Sequence, residues 1–313
     1  MNTKGNTALR RPLGKRILDR WQLYLLLFLP LVFLIVFSYV PMYGVVLAFK
    51  DYKAGMTIAE APWVGLEKFT KFLTSFKFTT ILRNTLALSF YSLATFPIPI
   101  IFALMLNAMP GQRYKKLIQT VTYLPYFIST VIMIGIILSL LNERTGAWGS
   151  LYMNIFGRTA PNILAKGESF RHIYVWSGVW QSTGSGAVIY LAALSGVDPN
   201  LHEAAMIDGA SRWQRVIHID LPTILQTVSI MLILAIGNIM SVGADKALLM
   251  QNSMNMKYSE IISTYEYKIG LSADLPTDYS LSTAIGLFNS IINFILLIIA
   301  DRVAKKLDGS GIF

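Results

Sequence analysis

Six stretches of this chain, 22–49, 84–109, 117–141, 172–194, 221–243 and 280–300, contain no Asp, Glu, Lys or Arg and are dominated by apolar residues. Each reaches or exceeds the ~20 residues that a helix needs to cross ~30 Å of hydrocarbon. A soluble core has no use for apolar residues gathered into blocks. The pattern therefore specifies an all-α polytopic membrane protein with six transmembrane helices. Charged residues make up only 14% of the 313 and hydrophobic ones 54%, against roughly a quarter charged in soluble domains. A β-barrel would show ~10-residue alternating segments instead.

Basic residues orient the spans. An even number of crossings puts both termini on one side. The N-terminal segment 1–21 carries six Lys and Arg, and the short piece "PGQRYKK" carries three more. Short basic loops near helix ends stay inside, so both termini are expected to be cytoplasmic. The net charge of +10 is then a topology signal and a contact with anionic headgroups, with no need for a nucleic-acid partner. "RRPLGKRILDRW" followed by an apolar run resembles a secretory signal, but the run is too long and no small-residue cleavage site closes it. It is read as a retained helix. With no cysteine, the chain has no disulfide and no thiolate metal site.

Two outer pieces are long enough to fold. Residues 50–83 read as a loop and an amphipathic interfacial helix with Phe69, Phe72, Phe76 and Phe78 turned inward, most simply as an aromatic membrane anchor. Residues 244–278 mix Met, Tyr and acids without a hydrophobic period, and are where an outer partner is expected to touch. The spans lack the ionisable group that proton or ion relays usually keep in the bilayer. No filter-like repeat marks a channel. There is no G-x-x-x-x-G-K-[ST] loop, no H-E-x-x-H pair and no G-x-S-x-G elbow, and His172, His202 and His218 are dispersed. Nothing here points to catalysis or to a cofactor held by this chain.

The stretch between the fourth and fifth apolar runs, "EAAMIDGASRWQRVIHIDLP" at 203–222, is the most informative. Asp198 before Pro199 predicts a helix N-cap with proline in the first turn. "NLHEAAMID" gives about two turns of good helix formers, and Gly209 then permits a positive φ. Ser211 predicts the cap of a second short helix, "SRWQRVIHI", with Pro222 in the first turn of the next span. The product is a cytoplasmic elbow over 198–220. Ala204, Ala205 and Ala210 keep it thin enough to enter a groove, and Met206, Ile207 and Trp213 supply apolar contacts. An ordinary interfacial helix with its charges in water is the plainer reading of these features.

The spacing decides between them. Glu203-Ala204-Ala205, three residues, Gly209, nine residues, Ile219, one residue, Leu221-Pro222 resembles the EAA signature of permease subunits of binding-protein-dependent ATP-binding-cassette importers. "EAAMIDGA", with Asp208, looks like the carbohydrate branch. "LPLVFLIVFSYVPMYGVVLAFKDY", "WVGLEKF" and "YLPYFIST" are similar to the polysaccharide-type (LplB-like) permeases of Gram-positive bacteria, so the resemblance covers nearly the whole chain. It implies a MetI-like permease fold in four parts: a cytoplasmic segment 1–21, a first helix and outer loop 22–83, a core 84–302 containing the elbow, and a cytoplasmic tail 303–313.

The resemblance also implies a mechanism. Glu203, Ala204, Ala205, Asp208, Gly209, Ile219, Leu221 and Pro222 would form the coupling helix that docks in a cytoplasmic ATPase, and closure of the ATPase dimer would swing the spans between inward-open and outward-open states. The implied partners are a second, homologous permease, two ATPase subunits that hold ATP and Mg, an extracellular substrate-binding lipoprotein, an oligosaccharide and membrane lipid. The chain itself would be a non-catalytic subunit in the bacterial cell membrane, with no bound cofactor. Candidate path residues are Trp176, Trp180, Gln181, Ser182 and Tyr190 in the fourth span, with Asn238 and Ser241 in the fifth. The plainer reading makes the aromatics packing or belt residues, and Gly184 and Gly186 helix contacts. An ion-coupled secondary sugar carrier and a non-transporting scaffold are the competing functions. Neither accounts for the elbow.

Overall fold

The computed structural model describes residues 19–272 and 276–308, with side chains to residue 306. Residues 1–18 of the N-terminal segment and 309–313 of the tail lie outside the described residues. Among the described residues four helices are long and apolar enough to cross a membrane: α1 (Trp21–Phe49), α3 (Phe78–Ala108), α9 (Arg212–Gly237) and α13 (Tyr279–Asp308). Between them lie α2 (Glu67–Leu73), α4 (Gln112–Phe127), α5 (Thr130–Leu140), α6 (Ala147–Phe156), α7 (Gly167–Leu194), α8 (Pro199–Ile207), α10 (Ala244–Met250), α11 (Met256–Ser259) and α12 (Ile262–Leu271). Among the described residues the only β-type pairing is a bridge between Lys50 and Trp63. The fourth apolar stretch is α7, whose 28 residues suffice to cross at 1.5 Å per residue. Its Gly, Ser and Gln make it less apolar than the others.

The third apolar run is not one straight helix. α4 and α5 meet at 97°. Pro125 has no N–H to continue the ladder, Ile128 is extended (ψ 127°) and Ser129 starts a new helix by accepting from Ile132 N. The break leaves Ile128 O without a helical partner, and Gln181 Nε2 on α7 donates to it at 2.8 Å. Irregular backbone at membrane depth is tolerated where protein supplies such a partner.

α7 packs on the second half of α3, α9 on α13, and α12 on α13. Gly184 of α7 meets the backbone of Thr122 so closely that any Cβ would overlap it, while Gly186 lies near Pro99. Both glycines are helix contacts. One core cluster, on the side of residues 244–271, joins Leu88, Met133, Phe170, Tyr174, Ala247 and Ile261. A second, toward the elbow, joins Ala103, Leu104, Ala187, Tyr190, Val216 and Ile224. Residues 21–43 of α1 are exposed along their length.

Residues 50–83 and the described part of 244–278 fold over one end of the spans. The aromatic helix expected over 50–83 is only seven residues long, because α2 ends at Leu73 and the chain turns before α3. Phe72 and Phe78 form an edge pair at 5.1 Å and both meet Phe288, whereas Phe76 lies in the turn and is 90% exposed. Phe76 therefore does not join the inward set. Residues 244–278 contribute α10 to α12 and buried Met250, Asn255, Ile261, Ile262 and Thr264. Lys68 Nζ ties the two outer pieces together, 2.6 Å from Asp51 and 3.4 Å from Asp278. The hydrogen bond from Lys68 holds the Asp51 carboxyl below the usual carboxylate range. Burial opposes the charge on Lys68, but its bond to Asp51 and the Asp278 charge raise it above the usual lysine value.

Candidate functional site

The elbow is built from local backbone chemistry. Asp198 Oδ1 accepts from Asn200 N at 2.9 Å and Pro199 opens α8. At the other end Gly209 has φ +79°. Gly209 N donates to Met206 O at 3.1 Å and Ala210 N to Ala205 O at 2.8 Å, the paired bonds of a Schellman turn. Ser211 then caps α9 in a reciprocal box: Gln214 N donates to Ser211 Oγ and Ser211 N to Gln214 Oε1.

The second arm of the elbow is not a separate helix. α9 continues from Arg212 through the whole fifth span as 26 residues. Pro222 cannot donate to His218 O, and its ring crowds that carbonyl. The helix absorbs this by widening over Val216–Asp220, where Leu221 N donates to Val216 O five residues back. One arm of the elbow and the span are thus one rigid body.

The other arm is fastened to it. Asp220 is 2% exposed; its Oδ1 lies 3.1 Å from His202 Nε2 on α8 and 3.5 Å from Asn107 Nδ2 at the end of α3. His202, Arg212, Arg215, Asn107 and Asp220 share a small cavity of about 260 Å³, and Arg215 Nε is buried there without a partner. Pairing across 18 residues carries no local sequence signal, which is why Asp220 and His202 escaped sequence reasoning. Glu203, Ala204, Asp208 and Gly209 are exposed and Ala205 is half-buried. Ile207 stands 87% exposed at the tip. Ile219 is half-buried, and Leu221 and Pro222 lie on α9 itself.

A cavity of about 580 Å³ lies between α3, α7 and α9, lined by uncharged residues that include Ser89, Ser92, Thr95, Ser182, Thr183 and Ser241. Of the sequence-derived path residues, Tyr190 and Asn238 lie in its wall, and Trp176, Trp180 and Gln181 do not. Gln181 is engaged at the break between α4 and α5. Trp176 and Trp180 are exposed on α7, and Trp176 Nε1 donates to Tyr91 OH at 2.9 Å. Beside the cavity, Lys246 of α10 donates to Tyr174 O at 2.6 Å and covers the Tyr174 ring at 4.6 Å. Burial pushes the Lys246 ammonium down to about 8. Among the described residues no three of His, Asp and Glu converge as a metal site.

Residues 96–309, which contain the elbow and the cavity's principal walls, match the family model of the binding-protein-dependent transport system inner membrane component. The chain belongs to that family. It is 40% identical to protein LplB of Bacillus subtilis (strain 168) over 94% of this chain and 92% of that one. It is 38% identical to the polygalacturonan/rhamnogalacturonan transport system permease protein YteP of the same organism, over 97% and 94%. The permease also superposes on a crystal structure of a bacterial ABC transporter involved in the import of the acidic polysaccharide alginate. The TM-score is 0.85 and the identity 34%, with 95% of this chain and 99% of that chain covered. A related structure holds that transporter with its alginate pentasaccharide-bound periplasmic protein, at the same score. The permease is thus a membrane-embedded, non-catalytic subunit of an ABC importer, and its fold is that of those transporters.

Proposed function

We propose that this permease carries an oligosaccharide across the cell membrane and takes its driving force through residues 203–222. Support for the sugar comes from the relatives named above, two of which, YteP and the alginate transporter, are described by polysaccharide transport, and from a cavity whose wall carries several hydroxyls and the Asn238 amide. The observation that carries the coupling role is mechanical. The elbow's exposed tip at Ile207 is joined to the fifth span on one side by the closed Gly209 turn and the helix that runs unbroken from Arg212, and on the other by the His202–Asp220 contact. A push on the tip therefore moves α9 as a lever and does not dissipate in a loop.

In this reading Glu203, Ala204, Ala205, Asp208 and Gly209 face an ATPase subunit, while Ile219, Leu221 and Pro222 join the elbow to the span. ATP and Mg belong to the two ATPase subunits. A second permease completes the path, an extracellular lipid-anchored binding protein delivers the sugar, and both termini face the cytoplasm. Tyr190 and Asn238 would meet the sugar within this chain, the exposed Trp176 and Trp180 would stand on the same helix toward the second permease, and Gln181 would act on the path through the α4–α5 break that it holds. The importer reconstituted in vesicles tests this: binding protein loaded with the cognate oligosaccharide should stimulate ATP hydrolysis and sugar uptake together. Uptake that follows an ion gradient and ignores ATP would assign the chain to secondary transport.

A further inference from the structure

The cavity between α3, α7 and α9 has no charged residue in its wall, yet an ammonium stands at its edge. Tyr174, Gly178 and Ser182 are spaced four apart and so share one face of α7. Tyr174 and Ser182 line the cavity, and Gly178 lies between them. Lys246 Nζ occupies the gap that Gly178 leaves: a Cβ at Gly178 would stand 3.1 Å from it. A Cβ there would require the ammonium to give way by a few tenths of an ångström.

The ammonium is only partly satisfied. It has three donors; Tyr174 O accepts one, and the Tyr174 ring supplies a cation–π contact. Among the described residues Lys246 makes no ion pair. Lys68, Lys71, Lys77 and Lys268 each lie within 4.0 Å of an acid, whereas Lys50 donates to the backbone carbonyls of Ile58 and Ala59 and Lys246 to that of Tyr174. A half-buried cation without an anion is unfavourable, and burial already depresses its proton affinity. A sugar hydroxyl would accept a hydrogen bond but leave the charge uncompensated. A carboxylate does both.

We infer that Lys246, held over Gly178 at the edge of the cavity, receives the carboxylate of an acidic sugar, so that this permease selects uronate-containing oligosaccharides over neutral ones. The inference rests on the oligosaccharide-import reading above and names the substrate class for that same cavity. Lys246 would act on entry: α10 is the first helix after α9, at the end of the molecule that the import reading turns toward the binding protein.

The test uses the complete importer in vesicles with oligogalacturonates and oligoalginates, each beside its carboxyl-reduced counterpart, in which only the carboxylate has become a primary alcohol. The readout is the ratio of acidic to reduced uptake. It should exceed one in the parent, fall about ten- to hundredfold in Lys246→Gln, which loses a charged hydrogen bond, and be largely kept in Lys246→Arg. An unchanged ratio in Lys246→Gln overturns the inference, as does preferential uptake of the reduced sugars by the parent. Should Lys246→Gln fail to assemble, the parent's own ratio decides. Failure of every sugar to be taken up or to stimulate ATP hydrolysis would overturn the import reading itself, whereas robust uptake of neutral sugars alone overturns only the role of Lys246.

Discussion

Gly209 and Asp220 carry opposite kinds of constraint. At Gly209 a Cβ would meet nothing within 4 Å, so its requirement lies wholly in the φ of +79°. Gly209→Val should cost ~1 kcal/mol or more in backbone strain and lower sugar moved per ATP hydrolysed. Gly209→Asn, which tolerates the left-handed region, should retain most coupling. Equal behaviour of the two variants in a coupled uptake and hydrolysis assay would remove the backbone argument. Asp220 is constrained by what it touches. His202→Ala would leave its carboxylate buried with only a 3.5 Å contact to Asn107, at a cost of ~1–3 kcal/mol, and should lower coupling. Adding Asp220→Asn should recover part of that loss, because a neutral amide needs less compensation, and the two effects should then fail to add. Additive losses would mean that the 3.1 Å contact transmits nothing.

At the scale of elements, what could be read from the sequence was whatever is local. Asp198, Gly209 and Ser211 announce the elbow's caps because each acts within four residues, and the six charge-free runs announce the spans. The 97° bend between α4 and α5 could not be read, since a proline such as Pro125 is accepted in both straight and broken membrane helices. Nor could the continuity of α9 through Pro222, which depends on a widened turn. Gln181 shows the same limit. Its position among aromatics and small residues suggests a sugar ligand, yet its amide reaches Ile128 O, 53 residues away in sequence. Gln181→Leu should therefore lower thermal stability in detergent by ~1–3 kcal/mol, the cost of an orphaned carbonyl. A Tm equal to the parent's would show that the bend holds itself.

At the scale of the whole molecule the account needs the elbow inside and the cap of outer segments outside. The chain lacks cysteine, so single introduced cysteines report sidedness. Thr145 is exposed, whereas the neighbouring Gly146 is closed off by the carbonyls of Ser139, Leu140 and Asn142. Thr145→Cys should react with an impermeant maleimide from outside intact cells, and Gln112→Cys only after permeabilisation. The reverse pattern would put residues 203–222 out of reach of any cytoplasmic ATPase. The central claim, that the elbow is the docking element, is tested most directly by co-purification of the ATPase with variants of its exposed tip. Ala204→Trp should overfill a close-packed groove at ~1–3 kcal/mol, weakening retention about five- to 150-fold. Ile207→Asp should bury an unpaired charge and weaken it at least as much. Both residues face solvent in the isolated chain, so membrane levels of the permease should match the parent while the ATPase is lost. ATPase retained at parental levels by both variants would contradict the docking role of residues 203–222.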